Sequence, residues 1–176
     1  MPRADGPDRL PSTDMSAATL TERTIATTDA AATRRLGAAL AASARAGDLV
    51  CLWGELGAGK TQFAKGFGAG LGVPGTISSP TFILMSEYEG RLRLFHVDLY
   101  RLADGADALA GGVVDDRQAG GVTLVEWPDR MAGLLPERRL DVAIDGTGTD
   151  PRTITIAARH PDLARYLAAV PDEGAA

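Results

Sequence analysis

Leu49 to Thr61 reads LVCLWGELGAGKT, an apolar run that passes without a polar spacer into the loop Gly54-Glu55-Leu56-Gly57-Ala58-Gly59-Lys60-Thr61. A glycine, four residues and then Gly-Lys-Thr is the spacing of a turn that holds phosphate between a buried strand and a helix N-terminus. Both flanks suit that reading. Beyond the loop, Phe63, Ala64, Phe67 and Leu71 recur at helical spacing, and Gly72 stops the run. Gly57 and Gly59 let the backbone bend so that successive N–H groups point inward at an anion. Lys60 is then expected to reach the β- and γ-phosphates of a nucleotide, and the Thr61 hydroxyl to ligate Mg²⁺. The chain has two lysines, Lys60 and Lys65, against sixteen arginines, so the loop uses lysine where the rest of the chain uses arginine.

The whole chain narrows the classes. At 176 residues it is one domain's length, and with hydrophobic residues at 45% and aromatics at 5% its core must rest on Leu, Val, Ile and Ala. No apolar stretch approaches the roughly 18 residues of a membrane span. The first twenty residues lack the apolar centre of a secretory signal, so a cytoplasmic protein is expected. Cys51 is the single cysteine; no intramolecular disulfide can form, and its apolar strand predicts an inert thiol. The net charge is −5 and the arginines are scattered, which argues against a direct nucleic-acid binder. Any role in nucleic-acid chemistry is expected to run through a partner.

Residues 1–21 are rich in Pro, Asp, Ser and Thr without periodicity and read as a disordered extension, followed by one domain over 22–170 and a flexible tail over 171–176. Thr24 to Thr27 reads as a strand. Asp29 caps a predicted helix running to about Ala44, stopped by Gly47-Asp48 before the strand of the loop. Phe82 to Tyr88 and Leu92 to Leu99 read as strands joined through Glu89-Gly90-Arg91. Val122 to Val125 is a further buried strand, ending in Glu126-Trp127-Pro128 where proline blocks continuation. Leu140 to Ile144 and Thr153 to Ala157 read as the last strands, and Pro161 to Val170 as an amphipathic helix. Helices alternate with strands early and hairpins dominate later, which predicts a three-layer α/β domain with a mixed parallel and antiparallel sheet.

Nucleotide hydrolysis also needs a carboxylate near Mg²⁺ and a group that orients water. Glu126 ends an apolar strand, a position that delivers its carboxylate to the sheet edge where the loop opens. In His96-Val97-Asp98-Leu99-Tyr100-Arg101, His96, Asp98 and Tyr100 share one strand face and Val97 and Leu99 the other. Asp98 is the second carboxylate candidate, for the metal or for water, while His96 reads as a satisfied packing residue. Thr81, in Ser79-Pro80-Thr81-Phe82, is placed to touch the γ-phosphate or Mg²⁺ as a switch residue does.

GELGAGKT, SPTF, HVDLYRLAD and VEWPDR, in that order and spacing, resemble the TsaE (YjeE) family, the ATPase subunit of the bacterial system that makes tRNA threonylcarbamoyladenosine. The resemblance covers about Asp29 to Arg159 and implies a P-loop NTPase-like domain that binds ATP and Mg²⁺. It further implies TsaD and TsaB as protein partners, modifying the adenosine next to the anticodon, with tRNA met only through the complex. By matching motif it implies that Gly57, Ala58, Gly59, Lys60, Thr61 and Gln62 wrap the phosphates, that Thr61 and Glu126 hold Mg²⁺, and that Lys60, Asp98 and Glu126 act in hydrolysis. Arg152 resembles a nucleotide-contacting arginine of the family, and Trp127 is expected near the site or facing the partner. Two places depart from the family pattern: Gln62 stands where a second Thr or Ser is common, and Gly105-Ala106-Asp107 replaces a more acidic stretch.

A GTPase commonly selects guanine with Asn-Lys-x-Asp, and this chain has no asparagine. A small-molecule kinase needs an arginine-rich lid, for which Arg130, Arg138 and Arg139 are available. A nucleotide-binding regulatory subunit with little hydrolysis would have no use for Asp98 and Glu126 at strand ends.

Overall fold

The computed structural model describes residues 21–79, 84–102, 116–131 and 133–172. Readings made above for residues 1–20, for Thr81 and Phe82, for Gly105-Ala106-Asp107 and for residues 173–176 fall outside that range. Within it the chain runs β1 (Glu22–Thr27), α1 (Ala30–Ala41), β2 (Leu49–Trp53), α2 (Lys60–Gly70), β3 (Met85–Tyr88), β4 (Arg93–Asp98), β5 (Gly121–Glu126), β6 (Leu140–Asp145) and β7 (Arg152–Ala158). The strands make one sheet in the order β1-β7-β6-β2-β5-β4-β3. Its centre, β6-β2-β5-β4, is parallel, and antiparallel pairs close both sides, β7 and β1 at one edge and β3 at the other. The sheet is mixed, as the sequence predicts.

Alternation along the strands divides the core. Val50, Leu52, Leu94, Val122, Leu124, Val142, Ile154 and Ile156 face α1 and α2, where Leu36, Leu40, Phe63 and Phe67 meet them. The neighbouring positions Leu49, Cys51, Val97, Leu99 and Val125 pack on the other face with Met131. Cys51 is fully buried there, and burial pushes its thiol up to about 12, in keeping with an inert packing group. No helix among the described residues is long and apolar enough to cross a membrane.

Helix α1 starts where Asp29 Oδ1 accepts from the Ala32 N–H at 2.7 Å. It ends three residues before the expected Ala44, because Ala42, Ser43 and Ala44 each donate to the carbonyl three residues back and the last turn tightens. The C-terminal segment departs further from expectation. Pro161 to Val170 is a 3₁₀ turn, Pro161–Leu163, followed by a single helical turn, Arg165–Ala168. Its apolar residues Leu163, Tyr166, Leu167 and Val170 are buried as predicted, but their spacing serves three-residue turns as well as a helix. Tethers hold the segment in place: the Tyr166 hydroxyl donates to Asp48 Oδ2 at 2.8 Å, and Arg165 donates to Asp48 and to the Ser43 carbonyl.

Asp48, read from the sequence only as part of a helix stop, thus anchors the end of the chain. It also accepts from the Arg45 N–H at 2.8 Å and from Arg138 at 3.1 Å. Burial alone would push its carboxyl up; the hydrogen bonds from Arg165, Arg45 and Tyr166 outweigh that and hold it below the ordinary carboxylate value.

Helices α1 and α2 approach so closely that side chains are excluded between them. A Cβ on Gly70 would stand 2.5 Å from the Ala38 carbonyl oxygen, and one on Gly66 would fall inside the Arg34 carbonyl. Helix propensity alone favours Gly66→Ala by about 1 kcal/mol. Overpacking against a backbone that cannot retreat costs about 1–3 kcal/mol on the observed side of that balance, and more when two helices must separate. We therefore expect Gly66→Ala to lower the thermal midpoint by roughly 5 °C in a melt followed by circular dichroism, where propensity alone would raise it.

Candidate functional site

The loop between β2 and α2 turns through Gly57 at φ 80° and Gly59 at φ 111°, left-handed conformations that other residues rarely adopt. Gly59 offers no side chain as a cap, so no side chain occupies the first N–H groups of α2, an arrangement that suits an anion. The loop's carbonyls have their own partners. Lys60 Nζ donates to the Gly54 carbonyl at 2.6 Å and to the Glu55 carbonyl at 2.8 Å. From the far side, Arg152 Nε donates to the Ala58 carbonyl at 2.7 Å, and its Nη2 lies 3.4 Å from the Gly57 carbonyl and 2.9 Å from that of Gly148. Arg152 is the first residue of β7 rather than the residue before it, and its guanidinium sits against the loop backbone.

Lys60 is 5% exposed, and its ammonium lies 3.9 Å from the centre of the Trp127 indole. Burial lowers its pKa, opposed by the nearby carboxylates of Glu126, Asp98, Asp129 and Glu55. Trp127 reaches that position through a φ of 60°, the one positive value at a non-glycine residue among those described. A bulky side chain in that conformation costs on the order of 1–3 kcal/mol and is found where a site needs it. Tyr100 packs its ring 4.9 Å from the same indole.

The carboxylates arrive by strand register. Asp98 pairs with Glu126 across β4 and β5, and Glu126 with Leu52 across β5 and β2, so both acids end parallel strands beside the loop. Glu126 is buried, with Oε2 3.3 Å and Oε1 3.4 Å from the Thr61 hydroxyl. Asp98 is half-buried; Oδ2 accepts from the Ser79 hydroxyl at 2.7 Å and Oδ1 from the Tyr100 N–H at 2.9 Å. His96 is fully buried, with Nε2 2.9 Å from Glu126 Oε1 and Nδ1 without a partner. The sequence placed it as a satisfied packing residue; half of its polar capacity is instead spent on a carboxylate, a link that only cross-strand register could reveal.

These side chains line a cleft of about 310 Å³ whose walls include Lys60, Thr61, Ser79, Asp98, Glu126 and Trp127. A second cleft of about 300 Å³ opens across the loop, bounded by Thr28, Asp29, Thr33, Gly59, Gln62 and Arg152. Gln62 lies on the walls of both clefts, its Oε1 accepting from Arg34 of α1. Thr61 and Glu126 bring hard oxygen donors together, the donor chemistry that Mg²⁺ takes. No cluster of three or more His, Cys, Asp or Glu side chains able to hold a metal occurs among the described residues.

A family model described as threonylcarbamoyl adenosine biosynthesis protein TsaE matches residues 27–154. A TsaE from Bacillus subtilis, described as a tRNA threonylcarbamoyladenosine biosynthesis protein, is 42% identical over 127 residues, 72% of this chain and 79% of that protein. The proteins so described from Treponema pallidum and Streptomyces coelicolor are 40% and 42% identical, covering 71% and 70% of this chain and 93% and 88% of theirs. The crystal structure of Bacillus subtilis YdiB superposes with a TM-score of 0.67 at 35% identity, over 85% of this chain and 93% of that one.

The geometry makes Arg152 a support for the loop, since holding carbonyls outward leaves the N–H groups turned in. Removing a charge-assisted pair of this kind costs about 1.5–3 kcal/mol. Arg152→Ala is therefore expected to weaken ADP affinity about tenfold or more by isothermal titration, with Arg152→Lys recovering only part of it because a point charge cannot bridge three carbonyls.

Proposed function

The chain belongs to the TsaE family, whose work is threonylcarbamoyl adenosine biosynthesis, and from that premise we propose that it is a Mg²⁺-dependent ATPase acting in tRNA threonylcarbamoyladenosine modification. The observation that carries the reading is the meeting of the GELGAGKT loop with the buried Glu126 carboxylate 3.3 Å from Thr61. Loop N–H groups and Lys60 bind the phosphates, Lys60 keeping its two carbonyl partners and giving the third donor of its ammonium to a phosphate oxygen. Thr61 and Glu126 hold Mg²⁺, which when bound neutralises charge developing on the phosphoryl oxygens. Asp98, at the mouth of the same cleft, orients the attacking water. The nucleoside extends over the loop into the second cleft, beside Gln62 and Arg152. Absence of asparagine from the chain leaves no Asn-Lys-x-Asp element for guanine, which favours adenine.

The partners are TsaD and TsaB, with tRNA reached only through their complex, and the place of action is the cytoplasm. The acidic net charge agrees with an indirect relation to RNA. Of the three arginines available for a kinase lid, Arg130 follows Glu126 at the loop's end of the sheet, and the other two are engaged elsewhere. Arg138 is engaged with Asp48 and the Gly47 carbonyl, and Arg139 with Asp141 and the Pro136 carbonyl. Both stand where β2 and β6 begin, at the sheet edge opposite the loop, and cannot close over phosphates bound there.

ATP hydrolysis by the purified chain is expected to be slow and to rise when TsaB and TsaD of the same organism are added; no rise, with nucleotide bound and all three proteins folded, would remove the proposed partners. Lys60→Ala should abolish turnover through loss of nucleotide binding. Glu126→Ala should lower the hydrolysis rate roughly 10²-fold while changing nucleotide affinity much less; an unchanged rate would move the metal role to Asp98.

A further inference from the structure

His96 lies in the middle of β4, two residues before Asp98 and paired across the sheet with Leu124, two residues before Glu126. Its ring points to the same sheet face as those two acids and is fully enclosed. Toward the strand starts its neighbours on that face are apolar, Leu94 and Leu124, so packing there asks for an apolar side chain, while the two acids lie toward the strand ends and Ser86 pairs with it across β3. A histidine is there instead, with Nδ1 buried and unpaired, a burden that packing alone does not justify.

The bond it does make is the tightest on Glu126. Nε2 stands 2.9 Å from Oε1, whereas the Thr61 hydroxyl lies 3.3 Å and 3.4 Å from the two oxygens. A carboxylate only accepts, so the ring donates through Nε2–H, and that donation fixes the rotation of the carboxylate about its own axis. We infer that His96 is a positioning residue, whose Nε2–H holds one oxygen of Glu126 so that the other is presented to Thr61 and the ion site beside it. This rests on the reading of Glu126 as the ion-holding carboxylate. Groups that hydrogen-bond a metal's ligand typically alter its metal affinity by about 10- to 100-fold when removed.

The test is the Mg²⁺ dependence of nucleotide binding, followed with a fluorescent ADP on the full chain, titrated with MgCl₂ and repeated in EDTA. His96→Leu keeps volume and loses the donor; it should raise the half-saturating Mg²⁺ about tenfold while leaving affinity in EDTA unchanged. His96→Gln, whose amide nitrogen reaches the place of Nε2, should return to within about twofold of the parent. A purely structural role predicts the reverse pattern, with equal losses in Mg²⁺ and in EDTA or no change in the Mg²⁺ midpoint, and either result would overturn the inference. Should His96→Leu fail to fold in a thermal melt, His96→Asn takes its place, its shorter amide falling short of Glu126. Gln near the parent with Asn displaced then supports the inference, and the two displaced alike overturns it. Parent binding that is indifferent to Mg²⁺ would overturn the ion-holding reading of Glu126 together with the role of His96.

Discussion

A backbone loop can point its N–H groups at an anion only if its carbonyl groups are turned away and satisfied there. In this chain two cations do that from opposite sides. Lys60 takes the carbonyls of Gly54 and Glu55, and Arg152 those of Ala58 and, at longer range, Gly57. One cation comes from the helix that the loop starts and the other from a strand more than ninety residues later, so the loop's shape depends on the closure of the whole sheet. The parallel centre of the sheet follows from the same demand, because a loop that passes from strand end to helix start needs its neighbouring strand ends on the same edge.

That edge gathers chemistry which the chain scatters. Asp98 and Glu126 are 28 positions apart, yet parallel pairing sets them opposite one another, with Glu126 paired in turn to Leu52 near the end of β2. The opposite edge is structural. There Asp48 ties the start of β2 to Arg138, Arg165 and Tyr166, and Asp141 accepts from Trp53, Arg139 and Arg159. Arg138 and Arg139, which look available in the sequence, are thereby spent on two buried carboxylates. Lys60, Asp98 and Glu126 stand at one end of the sheet, and the ion pairs of Asp48 and Asp141 at the other.

The elements were largely legible because their patterns are local. The strand Leu49–Trp53 and the start of α2 at Lys60 stand where the sequence puts them, and the remaining strands differ by a few residues at their ends. Asp29 caps α1 as its residue type suggests. The C-terminal segment differs from its sequence pattern because Leu163, Tyr166, Leu167 and Val170 fit two kinds of turn, and its anchor, Asp48, lies more than a hundred residues away. In the candidate site, the loop and the two strand-end acids could be named from spacing. The hydrogen bond of His96 to Glu126 and the anchoring of the loop by Arg152 could not.

By itself the sequence determined the strand–loop–helix unit, the apolar faces and the family, since each is carried by residues close together or by motifs in fixed order. Tertiary structure alone decided which acid meets Thr61, what turns the loop's carbonyls outward and which arginines are already engaged. Those are questions of partner choice between distant side chains, settled by strand register and by the need of every buried charge for an opposite one.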